Sequence, residues 1–256
     1  MTAENPDHAT DQKGSFRLRV AATLFLFVLF PISSGMGMET GPPLPPLIQD
    51  FIARHAPRTE ESKQLILVTS ADASSSLATL HPLEKDPRTW TLAFPAFSAV
   101  IGEKGFAPVN KKREGDGKSP TGIFLLGVAF GYAPSVKTRM PYRQATRDDF
   151  WVDDPDAETY NQWVRGKPRA ASYEKMKRDD NLYKYGIVIE YNRNPIVRGK
   201  GSAIFLHVWR SEGKPTLGCV AMPEDKILKI LGWLDPNKKP LIVMGTESEL
   251  RSMGSP

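Results

Sequence analysis

The sequence predicts a mainly β fold, a sandwich or barrel-like sheet with a few short helices. Two observations predict it. From residue 64 onward, seven short apolar or alternating runs follow one another, separated by Gly, Pro, Asn and Asp. Few helical patterns lie between them, which argues against a parallel sheet with crossover helices. A third observation is the stretch of about fifty polar but aromatic residues inside this series. It carries Tyr142, Phe150, Trp151, Tyr160, Trp163, Tyr173 and Tyr183, and a disordered linker should be poor in such residues. Residues 134–184 are therefore expected to form an ordered insertion that packs on the sheet and walls a cleft.

The N-terminus comes first in order. Lys13, Arg17 and Arg19 precede the apolar run Val20 to Phe30, and small residues follow at Ser33, Ser34, Gly35 and Gly37. This is the order of a secretory signal, so residues 1–37 are expected to be a signal peptide or an N-terminal anchor. The apolar run is shorter than the ~18 to 20 residues of a spanning helix, which favours cleavage. Residues 38–61 read as a Pro-rich spacer, "METGPPLPPL", and a short helix with Leu47, Ile48, Phe51 and Ile52 on one stripe. The folded domain is expected over residues 62–247. Its strands are "QLILVT", "SLATLH", "WTLAFPAFSAVIG", "GIFLLGVAF", "YGIVIEYN", "AIFLHVW" and "LIVMG". The clearest helix is "PEDKILKILGWL", with Pro223 at its first position, Glu224 and Asp225 at the positive end of the dipole, and Ile227, Leu228, Leu231 and Leu234 facing the core.

Composition narrows the function. Hydrophobic residues are 40% and charged residues 25% of the 256, as in a globular protein. The net charge of +5 suits dwelling on an anionic surface as well as it suits a generic basic exterior. No Lys/Arg cluster interleaved with aromatics argues for nucleic acid. "EGDGKSPTG" invites a phosphate-loop reading, but Lys112 stands where that motif needs glycine, and Pro120 stands where it needs a helix. His8, His55, His81 and His207 are scattered and no cysteine pair exists, so no zinc site is expected.

Cys219 is the only cysteine. A lone cysteine is more often a small buried hydrophobe than a nucleophile, but in an exported chain an odd thiol is either partnered elsewhere or kept for its reactivity. "AIFLHVW" alternates, placing Ala203, Phe205, His207 and Trp209 on one face. The turn Arg210 to Pro215 can bring the chain back and set Cys219 beside that strand. An imidazole next to a thiol can take its proton near neutral pH. Gly218 lets the backbone approach a carbonyl, and amides around Leu217 to Cys219 can donate to a developing oxyanion. This pattern is that of acyl transfer through a thioester.

At these residues the chain resembles the L,D-transpeptidases, which cross-link bacterial peptidoglycan. The resemblance rests on His207, on Thr216-Leu217-Gly218-Cys219, and on the turn Pro120-Thr121-Gly122 entering a strand. It covers roughly residues 62–245. It implies the β-rich fold of that family, Cys219 as nucleophile, and His207 as general base with its second ring nitrogen held by a backbone carbonyl, that of Val208. It also implies a monomer in the periplasm or cell envelope, acting without cofactor on peptidoglycan stem peptides. D-Alanine leaves a tetrapeptide stem, and an amine of a second stem or of an envelope protein takes the acyl group. A membrane would be touched only through an uncleaved N-terminus.

Two departures stand out. The loop between His207 and Cys219 is shorter than in many members, which passes the role of a lid to the insertion. Many members carry arginine two positions after the cysteine, where this chain has Ala221. Arg143, Arg198 and Arg210 are the candidates to replace that cation near the substrate, with Thr216 beside them. A hydrolase of the same fold and an inactive peptidoglycan-binding relative remain the alternatives. A thiol redox sensor would lack a second cysteine to resolve an oxidised one.

Overall fold

The computed structural model describes residues 44–87 and 89–252. The expected signal and the first part of the spacer lie outside them. Two helices come first, α1 (Pro46–Arg54) and α2 (Ala56–Thr59). Then follow β1 (Gln64–Ser70), β2 (Leu77–Asp86), β3 (Thr89–Leu92), β4 (Phe97–Val100), β5 (Phe106–Ala107), β6 (Ser119–Pro120) and β7 (Gly122–Gly131). The insertion contributes β8 (Tyr142–Gln144), β9 (Asp149–Val152), β10 (Trp163–Arg165) and β11 (Tyr173–Lys175). The chain closes with β12 (Tyr185–Ile189), β13 (Phe205–Val208), β14 (Val220–Met222), α3 (Glu224–Trp233), β15 (Leu241–Thr246) and α4 (Glu247–Ser252).

The fold is mainly β and the sheet closes on itself. Its order is β1-β15-β7-β12-β13-β14-β4-β2, and β2 pairs back onto β1, making a barrel of eight strands. β3 extends along β2, and β8 extends along β7. Closure leaves no bare barrel edge to recruit another chain. β1–β15 and β13–β14 are parallel, and the other pairings around the barrel are antiparallel. Among the described residues no helix is long and apolar enough to cross a membrane.

Alternation along the strands sorts apolar side chains into separate layers. Ile66 and Val68 of β1 join Leu80, Ile187, Leu206, Val220 and Ile242 in the largest cluster, to which α3 adds Ile227, Ile230 and Leu231. Leu65 and Leu67 point the other way and pack with Ile48 and Phe51 of α1 and Leu250 of α4. β1 is thus covered on both faces, and all seven of its residues are buried. A third cluster joins Phe130, Val188 and Phe205 of the barrel to Trp151, Met176 and Tyr183 of the insertion, and it includes Cys219.

The structure differs from the sequence reading in several places, three of which have a clear physical reason. "WTLAFPAFSAVIG" divides into β3 and β4, because Pro95 interrupts the ladder with a residue that cannot donate. Pro223 caps α3 with an extended ψ of 148° instead of opening it, and Ile230, not Leu228, is buried. α4 was not foreseen, its six residues being too few to show a period.

The insertion is ordered. β9 lies between β10 and β11 in a small antiparallel sheet. Trp151, Trp163, Phe130, Phe205 and Tyr183 meet edge to face, with centroid separations from 4.9 Å (Trp151–Phe205) to 6.4 Å (Trp151–Trp163). Asp149 is the polar centre of this layer. It accepts from Thr146 Oγ1 at 2.6 Å, Arg143 Nη2 at 2.8 Å and Trp163 Nε1 at 2.9 Å. Burial works to raise its pKa, but these donors outweigh burial and hold it down at about 2.

Candidate active site

β13 and β14 run parallel with Leu206 beside Val220 and His207 beside Ala221. That register sets Cys219 at the level of Phe205, with His207 one pleat further along and on the same face. Both residues line one cavity of about 360 Å³. Its far wall belongs to the insertion, through Asp153, Glu174, Arg178, Leu182 and Tyr183.

Cys219 is a free, buried thiol. Sγ donates to the Ala203 carbonyl at 3.2 Å and accepts from the Phe205 amide at 3.4 Å. Burial pushes its pKa up, and the Glu174 carboxylate pushes the same way. The loop that delivers it is held by side chains. Thr216 Oγ1 donates to Cys219 O at 2.7 Å and accepts from the Gly218 amide at 3.1 Å. Ser119 Oγ, buried at the Ser-Pro-Thr-Gly turn, donates to Gly218 O at 2.7 Å and accepts from the Gly102 amide at 3.0 Å. Gly218 has φ +152°, and a Cβ there would stand 3.0 Å from Lys118 O and 3.2 Å from the Ile204 side chain. Only glycine fits this crossing.

His207 is buried, and its Nδ1 lies 2.7 Å from the Val208 carbonyl. A carbonyl only accepts, so Nδ1 carries the proton and Nε2 keeps its lone pair. Burial lowers the imidazole pKa to about 4; the Val208 bond opposes that shift and the Arg178 charge adds to it. The resting pair is therefore neutral thiol and neutral imidazole. No hydrogen bond joins Sγ to His207 among the described residues, so the thiol must turn away from Ala203 to hand over its proton.

The remaining expected residues fall into two groups. Leu217, 77% exposed, stands on the rim, and Thr216, Gly218 and Arg210 also line the cavity. The Thr216 hydroxyl is committed to the Cys219 loop, and the Gly218 amide to Thr216, so neither is free for substrate. Arg143 and Arg198 do not line the cavity. Arg143 pairs with Asp149 and stacks on Trp163 at 4.2 Å, and Arg198 Nη1 donates to Pro155 O at 2.7 Å. Ala221 does line it, so the position of the missing arginine does face the site.

Sequence reasoning missed several neighbours. Lys112 is buried, bonded to Asp116 at 2.7 Å, and lies along the cavity. Arg178 binds Asp180 through two nitrogens at 2.8 and 2.7 Å, and Arg210 reaches the same carboxylate at 3.3 Å. Glu174 accepts the Tyr183 hydroxyl. The one available signal was the density of aromatics and charges in the insertion. Among the described residues no three His, Cys, Asp or Glu side chains are grouped to hold a metal ion.

A closed β barrel carrying an imidazole on one strand and a thiol at the entry to the parallel strand beside it defines a class, that of the L,D-transpeptidase-type domains. The model of the L,D-transpeptidase catalytic domain, YkuD, matches residues 74–243, well over half the chain, and the chain belongs to that family. No curated protein and no solved structure matches it.

Proposed function

We propose that this protein is an exported cysteine acyltransferase that forms a thioester with a peptidoglycan tetrapeptide stem and passes it to an amine, in the periplasm or cell envelope. The observation that carries the reading is a free thiol and an imidazole with an available Nε2 lining one cavity on this family's fold.

The geometry supports a sequence of steps. With the thiol pKa raised and the imidazole pKa lowered, a standing thiolate–imidazolium pair is disfavoured, so the proton moves to Nε2 as sulfur attacks the amide carbon. The oxyanion that forms is met by amides of the 217–219 turn, where those of Leu217 and Cys219 remain after Gly218 is committed. Imidazolium then protonates the departing amine of D-alanine, leaving a thioester on Cys219. An incoming amine attacks that thioester and gives its proton back to Nε2, and the collapse restores the thiol. Arg210, which reaches Asp180 at 3.3 Å, and Lys214 are the exposed cations lining the cavity that can meet a stem carboxylate.

Disaccharide tetrapeptides incubated with the wild-type protein and with Cys219→Ala test the reading by product analysis. Cross-linked dimers made by the wild type alone support it. Tripeptide alone would make the protein a carboxypeptidase of the same fold. No product from a folded wild type would move the chain to the class of inactive binding relatives.

A further inference from the structure

His207 is anchored through Nδ1 to the Val208 carbonyl at 2.7 Å, the Leu182 backbone adds a weaker polar contact, and the face of the ring is left to packing. What stands against it is Tyr183. The two rings meet at 5.2 Å and 72°, an edge-to-face contact, and Tyr183 is 4% exposed. The Tyr183 ring is itself boxed by Phe130 at 5.9 Å, Phe205 at 5.6 Å and the Arg178 guanidinium at 5.1 Å. Its hydroxyl donates to Glu174 on β11. The preceding residue, Leu182, accepts the Val208 amide at 3.1 Å, so this segment is stitched to the strand that carries His207.

Glu174 lies in the same cavity as Cys219 and makes no ion pair among the described residues. Arg178, the cation of that wall, is committed to Asp180. The titratable groups that act on Glu174 are Tyr183, Asp153, Glu114, Arg178 and Cys219, two of them carboxylates, and Lys112 and His207 line the same cavity.

We infer that Tyr183 and Glu174 are positioning residues for the reacting pair: Tyr183 backs the His207 ring, while Glu174 fixes the Tyr183 hydroxyl and places a carboxylate in the cavity with Cys219. The inference deepens the acyltransferase reading and rests on it for the roles of Cys219 and His207. Its consequence is a guarded thiol. Burial raises the Glu174 pKa to about 7, against the Tyr183 bond and with help from Asp153, so the charge is present above neutral pH and absent below it. A negative charge near sulfur disfavours thiolate, which keeps Cys219 protonated until a substrate fills the cavity.

Two arms of the test, alkylation and NMR, do not need a substrate. Cys219 is the only cysteine, so alkylation of the purified protein by iodoacetamide reports that thiol alone. Glu174→Gln keeps an acceptor for Tyr183 and removes the charge; its alkylation rate across pH 8 to 9 should rise about tenfold over the wild type, the size expected when a nearby like charge is lost. Tyr183→Phe keeps the packing and loses the anchor, and should lower kcat on a stem peptide about tenfold with KM unchanged, as loss of orientation does. In Tyr183→Leu the His207 ring resonances, read by NMR, should broaden and shift. A Glu174→Gln profile that superimposes on the wild type, or His207 resonances and kcat unmoved by both Tyr183 variants, would overturn the inference. If the wild type transfers no acyl group, the acyltransferase reading fails, while the alkylation and NMR results still decide this one.

Discussion

The barrel and the insertion that walls its cavity are held together by different chemistry. In the barrel, aliphatic side chains such as Ile66, Val68, Leu206 and Val220 alternate into a continuous layer, and the ladder of eight closed strands fixes each register. In the insertion, strands of three or four residues cannot do this. Aromatic edges and one buried carboxylate, Asp149, take over. The barrel thereby fixes where Cys219 and His207 lie, and the insertion fixes what they face. A reacting pair can be set by backbone pairing alone, whereas its electrostatic surroundings depend on side-chain contacts that are lost one at a time.

The largest effect should come from the barrel's own residues. His207→Ala is expected to lower kcat by ~100- to 10,000-fold, the usual contribution of a general base. Because burial holds the imidazole near 4, the wild-type rate should fall on the acid side only as pH drops through about 4, not through the ordinary histidine range. A pH profile of kcat/KM checks this. An acid limb centred near 6.5, the ordinary histidine value, would break the account of His207.

Next in size is the aromatic layer. Trp151 is 1% exposed, packs edge-on against Phe205 and donates to Asn161 at 3.0 Å. Trp151→Ala should destabilise by ~3–5 kcal/mol. The comparison predicts where: hydrogen exchange should quicken in residues 149–176 while β1 and β15 stay protected. Uniform loss of protection would show that the barrel depends on the insertion as much as the reverse.

Asp149 sharpens the same contrast through pH. Its pKa lies below the ordinary 3.8, so its contribution is fully present above pH 3.8 and is lost as pH falls through about 2. A shift of that size corresponds to about 2 kcal/mol. Asp149→Asn should lower stability at pH 7 and flatten its dependence between pH 4 and pH 2, as denaturant unfolding at several pH values would show. The smallest effect belongs to Arg198, whose guanidinium is committed to a carbonyl outside the cavity. Arg198→Ala should leave kcat and KM unchanged and alter stability by less than ~0.5 kcal/mol. Arg210→Ala, by contrast, should raise KM for a stem peptide.

The same division explains what could be read from the sequence. "AIFLHVW" showed its alternation, and the structure sets Phe205 and His207 against Ile204 and Leu206 on opposite faces. The Thr-Leu-Gly-Cys turn carried its own constraint in Gly218. β14 escaped notice because three residues show no period, although its register with β13 is what brings Cys219 and His207 into one cavity. Tyr183, Glu174 and Arg178 were invisible as site residues, since nothing local marks which aromatic or charge of an irregular segment turns inward. Arg143 and Arg198 misled for the same reason: a cation's partner is set by tertiary contact, and theirs are Asp149 and the Pro155 carbonyl.

The central claim is that Cys219 forms a thioester in this cavity. Intact mass of the purified protein after incubation with a disaccharide tetrapeptide tests it most directly. The account predicts an adduct equal to the stem less D-alanine on the wild type, none on Cys219→Ala, and accumulation of that adduct when no acceptor amine is supplied. A folded wild type that releases D-alanine without ever carrying the adduct, or a Cys219→Ala variant that still carries it, would contradict the claim.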